Sequence, residues 1–327
     1  MRWRGAYRLA GSCAGMRVGM SNRGGDYDLC GWRVDSAISL PDLPIWAGDD
    51  RAADIVIDIG DVAPLASPTM VTPLVSIDAN GSAHFSVNGV ADYLVTDGCR
   101  ITVAPVLPKD SPDIRLFLLG SGLGFLCHQR GVLPIHGATV DIDGEAVIFA
   151  GASGAGKSTL ADAFARRGHV VLSDDVSPIQ ITAEGPLILP SLRRIRLWKD
   201  AVDNAGWNAD DLERCRAGLE KFSRSLHGEP AVKPLPPRAI FHLRRQWVKL
   251  GGARFRRLRG RPAVDELQRQ VFRWKSLVGV AGPTGALART AIAASNIPGH
   301  FVLERPIAFD RLDESIDEIV MTVRAAR

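Results

Sequence analysis

Three groups of residues have the types and spacing for chemistry. The first is Gly151–Ser158, GASGAGKS, which fills the pattern G-x-x-x-x-G-K-[S/T]. Backbone N–H groups of such a loop converge on phosphate oxygens, aided by the positive end of the helix that follows. Its glycines permit close approach and left-handed torsions. On this reading Gly151, Ser153, Gly154, Ala155, Gly156, Lys157, Ser158 and Thr159 hold the phosphates of a nucleotide, with Lys157 reaching the β- and γ-phosphates and the Ser158 hydroxyl ligating Mg²⁺. The motif says nothing about the phosphate acceptor.

The second group is the pair Asp174 and Asp175, which closes HVVLSDD one short helix and one short strand after the loop. Neighbours on an extended strand point to opposite faces, so shared work requires the backbone to bend there. The natural division makes one acid the general base for an acceptor hydroxyl and the other a direct or water-mediated Mg²⁺ ligand. The third is His136, in LPIHGATV, at the start of a strand whose hairpin partner ends at the phosphate loop. There it can polarise Asp174 or the γ-phosphate.

The elements that must hold these groups are legible from turn residues. Asp143-Gly144 turns between TVDI and EAVIFA, so the strand feeding the loop is one arm of an antiparallel hairpin. After the loop, STLADAFARRG reads as a helix that stops at Gly168. HVVLSDD follows almost without a connection, which predicts a strand alongside the phosphate-loop strand. Upstream, Asn80-Gly81, Asn88-Gly89 and Asp97-Gly98 punctuate residues 25–105 as a meander of short antiparallel strands. Ser111-Pro112 opens a helix that runs to Gly131. Downstream, GPLILP, RAIFHLRR and GHFVLERP read as strands, DAVDNAGWNADDLERCRAGLEK as a helix-rich connection, and ARFRRLRGR as a strand or basic loop. FDRLDESIDEIVMTVRAA closes the chain as an amphipathic helix. The expected organisation is an α+β or α/β protein: a β-rich domain at 1–110, a connecting helix at 111–131 and a P-loop domain with a mixed sheet at 132–327.

Composition sets outer bounds. The chain has 327 residues, 46% hydrophobic and 23% charged, ordinary for a globular protein with one large or two modest domains. Its five cysteines are scattered without a C-x-x-C pair, which argues against a zinc site or a disulfide framework. The basic start lacks the apolar core of a signal peptide, and no uninterrupted apolar stretch looks long enough to span a bilayer. The expected location is cytoplasmic, with no membrane partner. The net charge of +4 hides an asymmetry: Arg238–Lys275 carries +10 and the rest −6. That segment is a solvated face or a surface for an acidic protein or peptide. No recognisable nucleic-acid module accompanies it. Arg193, Arg194, Arg196 and Arg273 are candidates to stabilise a transferring phosphoryl group.

From His136 to Val176, HGATVDIDGEAVIFAGASGAGKSTLADAFARRGHVVLSDDV resembles the catalytic domain of bacterial HPr kinase/phosphorylase, which shares its nucleotide-binding core with phosphoenolpyruvate carboxykinase. The shared features are an HG dipeptide before a hairpin, the phosphate loop, and RGH followed by DD. The N-terminal region is more similar to HPr-kinase-related proteobacterial proteins, some of which phosphorylate lasso-peptide precursors. The resemblance implies an ATP-dependent serine kinase in which Asp174 is the base, Lys157 and His136 act beside it, and Ser158 and Asp175 serve Mg²⁺. Its acceptor would be an HPr-like carrier or a peptide precursor. Classical members form hexamers, which raises a homo-oligomer without transferring to this different N-terminus. Thr159 stands where the bifunctional enzymes have Glu, and the segment tied to phosphorolysis is not found, which argues against the reverse reaction. Two other classes fit the motif alone: a small-metabolite kinase, and a nucleotide-binding regulator without a dedicated acceptor.

Overall fold

The computed structural model describes residues 24–216, 218–226, 232–245, 253–305 and 308–325. The first 23 residues of the expected N-terminal domain lie outside them. The protein is a mixed α+β chain that divides into two compact units, residues 1–131 with 276–282, and residues 132–275 with 283–327.

The first unit is an eight-stranded sheet with an attached helical segment. Its strands are β1 (Gly25–Leu29), β2 (Trp32–Ser36), β3 (Ile55–Ile59), β4 (Pro68–Val71), β5 (Val75–Asp78), β6 (Ala83–Val87), β7 (Ala91–Thr96) and β8 (Arg100–Pro105), ordered β1-β2-β3-β8-β7-β6-β5-β4. The meander expected from the Asx-Gly turns is present from β4 to β8. Asp97 and Gly98 both take positive φ, the signature of the two-residue turn that matches strand twist. The expectation of a purely antiparallel domain is corrected, because β3 lies parallel to both β2 and β8. β3 is reached by a long connection rather than a hairpin, and a turn signal carries no information about such a strand. The helix expected at 111–131 is α1 (Pro112–Phe117), a π turn at Leu118–Gly122, and α2 (Leu123–Gln129). These residues belong to the first unit rather than standing between domains. Cys30, Cys127 and Cys215 are free.

The second unit is built on β9 (Leu133–Ile142), β10 (Glu145–Gly151), β11 (Val171–Ser173), β12 (Val176–Thr182), β13 (Gly185–Ile188), β14 (Arg194–Trp198), β15 (Glu213–Arg214), β16 (Lys221–Ser225), β17 (Pro237–Arg245), β18 (Arg254–Leu258) and β19 (Gly299–Arg305). Its helices are α3 (Lys157–Arg166), α4 (Lys199–Asn204), α5 (Arg261–Gln270), α6 (Trp274–Asn296), whose residues 276–282 are counted with the first unit, and α7 (Leu312–Ala325). The main sheet runs β13-β12-β9-β10-β17-β19-β18, with β11 also on β9. β9 and β10 form the hairpin read from Asp143-Gly144, and β10, β17 and β19 are mutually parallel. Strands covered on both faces read as continuous apolar runs, and Ala146–Gly151 is buried throughout. On the face under α3 and α7, Phe149, Phe164, Phe241 and Phe301 stack with centroids 5.3–5.9 Å apart.

Two sequence readings are corrected here. The stretch from Asp200 to Lys221 is not chiefly helical: among the described residues it holds α4, a short 3-10 turn and β15, which joins a small sheet ordered β14-β16-β15. Its Gly, Asp and Arg residues show neither helical nor strand periodicity, so pairing partners decide the outcome. In addition, α6 does have the length and composition of a membrane span. Gly282 breaks its helical torsions ahead of Pro283, leaving two pieces each shorter than the roughly 20 residues a bilayer requires.

Replacing Phe241 with Ala should cost about 3–5 kcal/mol, because the ring is fully buried and touches three others. Urea denaturation followed by fluorescence measures this. A loss below about 1 kcal/mol would show that the ring stack is not what holds the β10/β17/β19 sheet to its helices.

Candidate active site

The phosphate loop leaves β10 at Gly151 and ends in the left-handed Gly156, which caps α3. Gly154 and Gly156 take φ of 77° and 90°. Its left-handed torsion is what calls for glycine at Gly156, and a Cβ there would also displace Nη2 at the end of the Arg305 side chain. The Lys157 ammonium folds back on the loop, donating to the carbonyls of Gly151 (2.8 Å) and Ala152 (3.1 Å). Burial lowers its pKa from the usual lysine range.

α3 ends in a Schellman motif. The His169 N–H donates to Phe164 O and the Gly168 N–H to Ala165 O, while the His169 ring packs edge-on against Phe164. His169 Nδ1 then donates to Asp141 O, and Asp141 N donates to Val170 O. These contacts dock the short link onto β9. β11 therefore pairs with β9, and the expectation that it lies directly beside the loop strand is corrected: β10 already has β9 on one edge and β17 on the other.

The acids emerge from β11 with different surroundings. Asp174 is 2% exposed; its Oδ1 accepts from Ser158 Oγ at 2.9 Å and its Oδ2 from the Arg196 N–H at 3.0 Å. Asp175 takes φ +81°, the bend needed for both acids to face one cavity. Its carboxylate accepts from Arg196 Nη1 at 2.9 Å, and its side chain keeps 26% exposure. His136 Nδ1 lies 3.0 Å from the Asp175 carbonyl. A carbonyl only accepts, so Nδ1 carries the proton and Nε2 keeps its lone pair.

Electrostatics separate the two carboxyls. Burial pushes Asp174 above the ordinary carboxylate range, and neighbouring Asp175 adds to the rise, against the opposing hydrogen bonds from Arg196 and Ser158. Burial would also raise Asp175, but Arg196 foremost, with other nearby cations, outweighs it and holds Asp175 below that range. Burial, reinforced by Lys157, lowers His136, so the imidazole is neutral near pH 7.

His136, Ser153, Gly154, Gly156, Lys157, Ser158, Thr159, Asp174 and Asp175 line one cavity of about 660 Å³. Gly151 lies below it as the carbonyl that holds Lys157, and the Ala155 methyl is turned into the core. Of the four candidate arginines only Arg196 lines the cavity. Sequence reasoning missed Trp198 and Lys221, from the small β14-β16-β15 sheet, and Arg305, from the end of β19. Arg305 follows a recognisable strand, GHFVLER, and so had a weak signal; Lys221 had none. The oxygen pair of Ser158 and Asp174 suits a hard cation such as Mg²⁺, which takes one or two carboxylates and completes its shell with phosphate and water.

Asp174→Asn should raise the melting temperature at neutral pH. A native pKa above the unfolded one means that ionisation of Asp174 costs stability, so the neutral amide gains wherever the wild type is ionised. The gain should disappear as pH falls through the raised pKa and the wild-type acid is protonated. Thermal melts from pH 3 to 8 check this, and a variant less stable at neutral pH would contradict it. Separately, Gly156→Ala should weaken ADP binding about tenfold, from the 1–2 kcal/mol of left-handed strain and the displacement of Arg305. Titration calorimetry measures it; unchanged affinity would show the loop tolerates a side chain.

No family model matches the chain. It is 37% identical over 79 residues to HPr kinase/phosphorylase of Caldicellulosiruptor bescii, covering 22% of this chain and 25% of that one. It is 38% identical over 84 residues to HPr kinase/phosphorylase of Brevibacillus brevis, covering 25% and 26%. The chain thus spans about a quarter of the length of these curated relatives, and over that stretch it is related to HPr kinase/phosphorylases.

Proposed function

We propose that this chain is a cytoplasmic ATP-dependent kinase that transfers the γ-phosphate to a serine hydroxyl on a protein or ribosomal peptide precursor, an HPr-like carrier or a short precursor peptide. The observation that carries the reading is the joining of the phosphate loop to an acid pair through the Ser158–Asp174 hydrogen bond, with a second, accessible carboxylate beside it. The partial relation to HPr kinase/phosphorylases supports phosphotransfer.

The geometry favours exchanging the roles that the resemblance implies for the two acids. A serine borne on a polypeptide must reach its base. Asp174 is buried and committed to Ser158 and the Arg196 N–H, which suits it to the Mg²⁺ side. Asp175 is exposed to the cavity and oriented by Arg196, with His136 fixed against its backbone. Asp175 therefore accepts the hydroxyl proton as the serine oxygen forms its bond to the γ-phosphorus and the bond to the β–γ bridging oxygen breaks, releasing ADP. A carboxylate held below its usual range is a weak base, which suits a loose transition state whose demands are chiefly positional. Lys157 leaves its loop carbonyls to meet the β- and γ-phosphate oxygens. Ser158 and Asp174 would hold Mg²⁺, which supplies charge neutralisation when bound.

Intact-mass spectrometry of HPr and of a short serine-containing precursor peptide, each incubated with ATP and Mg²⁺, tests this. Wild type should add one phosphate to one of them. Asp175→Asn should lose at least about 10²-fold in rate at every Mg²⁺ concentration. Asp174→Asn should instead recover activity as Mg²⁺ rises. The opposite pattern would return the base to Asp174, and ATP binding without modification of either acceptor would remove the polypeptide-kinase reading.

A further inference from the structure

The cations lining the cavity have distinct commitments. Lys157 is curled on loop carbonyls, Arg196 is paired with Asp175, and Lys199 is paired with Asp203. Arg305 is buried against Gly156. Lys221 differs from these. It comes from β16, where it pairs in register with Trp198 of β14, and its ammonium sits 5.6 Å from the centroid of the Trp198 ring. Among the described residues it has no carboxylate within 4 Å. Its carbonyl accepts from Cys215 N at 2.9 Å, and that of the preceding Glu220 accepts from Lys199 N at 3.0 Å. The strand is therefore set while the four-carbon stem is free to turn.

A cation parked on an indole face is partly dehydrated and holds its charge ready for an anion. The cavity it shares with Lys157, Ser158 and Asp175 is one whose loop is built for phosphate. Its charge is already felt there, opposing protonation of His136 and Lys157 and favouring the ionised form of Asp175. We propose that Lys221 is a further catalytic residue, a γ-phosphate clamp that Trp198 holds at the acceptor side of the cavity and that binds the transferring group across from Lys157. It rests on the phosphotransfer reading and deepens it. Phosphoryl transfer spreads charge over three equatorial oxygens, and the phosphate loop with Lys157 reaches them from one side. A cation from a separate sheet covers the other side without occupying the line of attack.

The test compares nucleotides that differ only at the γ position. Calorimetry with Mg·ADP and with a non-hydrolysable Mg·ATP analogue reads the clamp without any acceptor. Lys221→Met should lower affinity for the triphosphate analogue about tenfold and leave ADP affinity unchanged, with Lys221→Arg recovering most of the difference. On the phosphorylated acceptor, kcat should fall about 10²-fold with little change in acceptor KM. Equal weakening of both nucleotides, or unchanged nucleotide affinities with a raised acceptor KM, would overturn the proposal. A wild type that binds the triphosphate analogue and phosphorylates no acceptor would sink the kinase reading while the nucleotide pair still decides the role of Lys221. The Arg variant and an unchanged ADP affinity also guard against a misfolded Met variant.

Discussion

The arrangement of the site depends on one buried carboxylate. Asp174 is the meeting point of three segments distant in sequence: the start of α3 through Ser158, the end of β11 through its own backbone, and β14 through the Arg196 N–H. Burying a charge is costly unless every acceptor position is used. Two donors from different elements at 2.9 and 3.0 Å fix the carboxylate in one orientation. They also tie the small β14-β16-β15 sheet to the phosphate loop, and the Asp174 N–H donates to Leu192 O just upstream of β14. The raised pKa is the sign that the fold accepts an energetic cost at this point.

The left-handed Asp175 follows from that constraint. With Asp174 pointing into the cavity, an extended successor would point to the other side of the sheet. Turning φ to +81° brings the second carboxylate round at a cost of about 1–2 kcal/mol, which Asp tolerates better than most residues. Arg196 then serves both acids, Asp174 with its backbone and Asp175 with its guanidinium. One residue thereby sets the separation between the two carboxyl environments. Strain at this position, held by an arginine on one side and His136 on the other, is the kind that persists where surrounding structure over-determines a conformation.

How much of this is legible in the sequence depends on locality. The phosphate loop, the β9–β10 hairpin, the stop at Gly168 and the acid pair all lie within some forty residues, and each announces itself by a residue with a specific backbone job. Gly156 and Gly168 take the positive φ that their positions suggest, and Asp143-Gly144 forms its two-residue turn. The neighbour of β11 was not legible, because which strand a segment joins depends on edges already occupied elsewhere. Trp198 and Lys221 were illegible for the same reason. They meet only because β14 and β16 pair across a connection without periodicity, and a lysine in GLEKFSRS looks like any surface lysine. The expected antiparallel N-terminal sheet failed at β3, where no turn residue marks a parallel insertion.

The basic segment, the loudest signal in the composition, has its explanation in the edge of the sheet. β18 is the outermost strand, bonded to β19 on one side, and Arg254, Arg256 and Arg257 on it are exposed. An edge strand presents unpaired backbone groups, and a row of charged side chains is a standard way to stop it recruiting another strand. Other members of the segment are used locally: Arg244 and Arg269 both pair with Glu266, Arg261 reaches Asp265, and the Arg257 guanidinium donates to Pro298 O. None of these lines the cavity that holds the acid pair. Charge density along the chain and charge placement at the site are therefore separate matters. Besides Lys157, the cations that line the cavity come from β14, α4, β16 and β19, and their effect comes from placement rather than number.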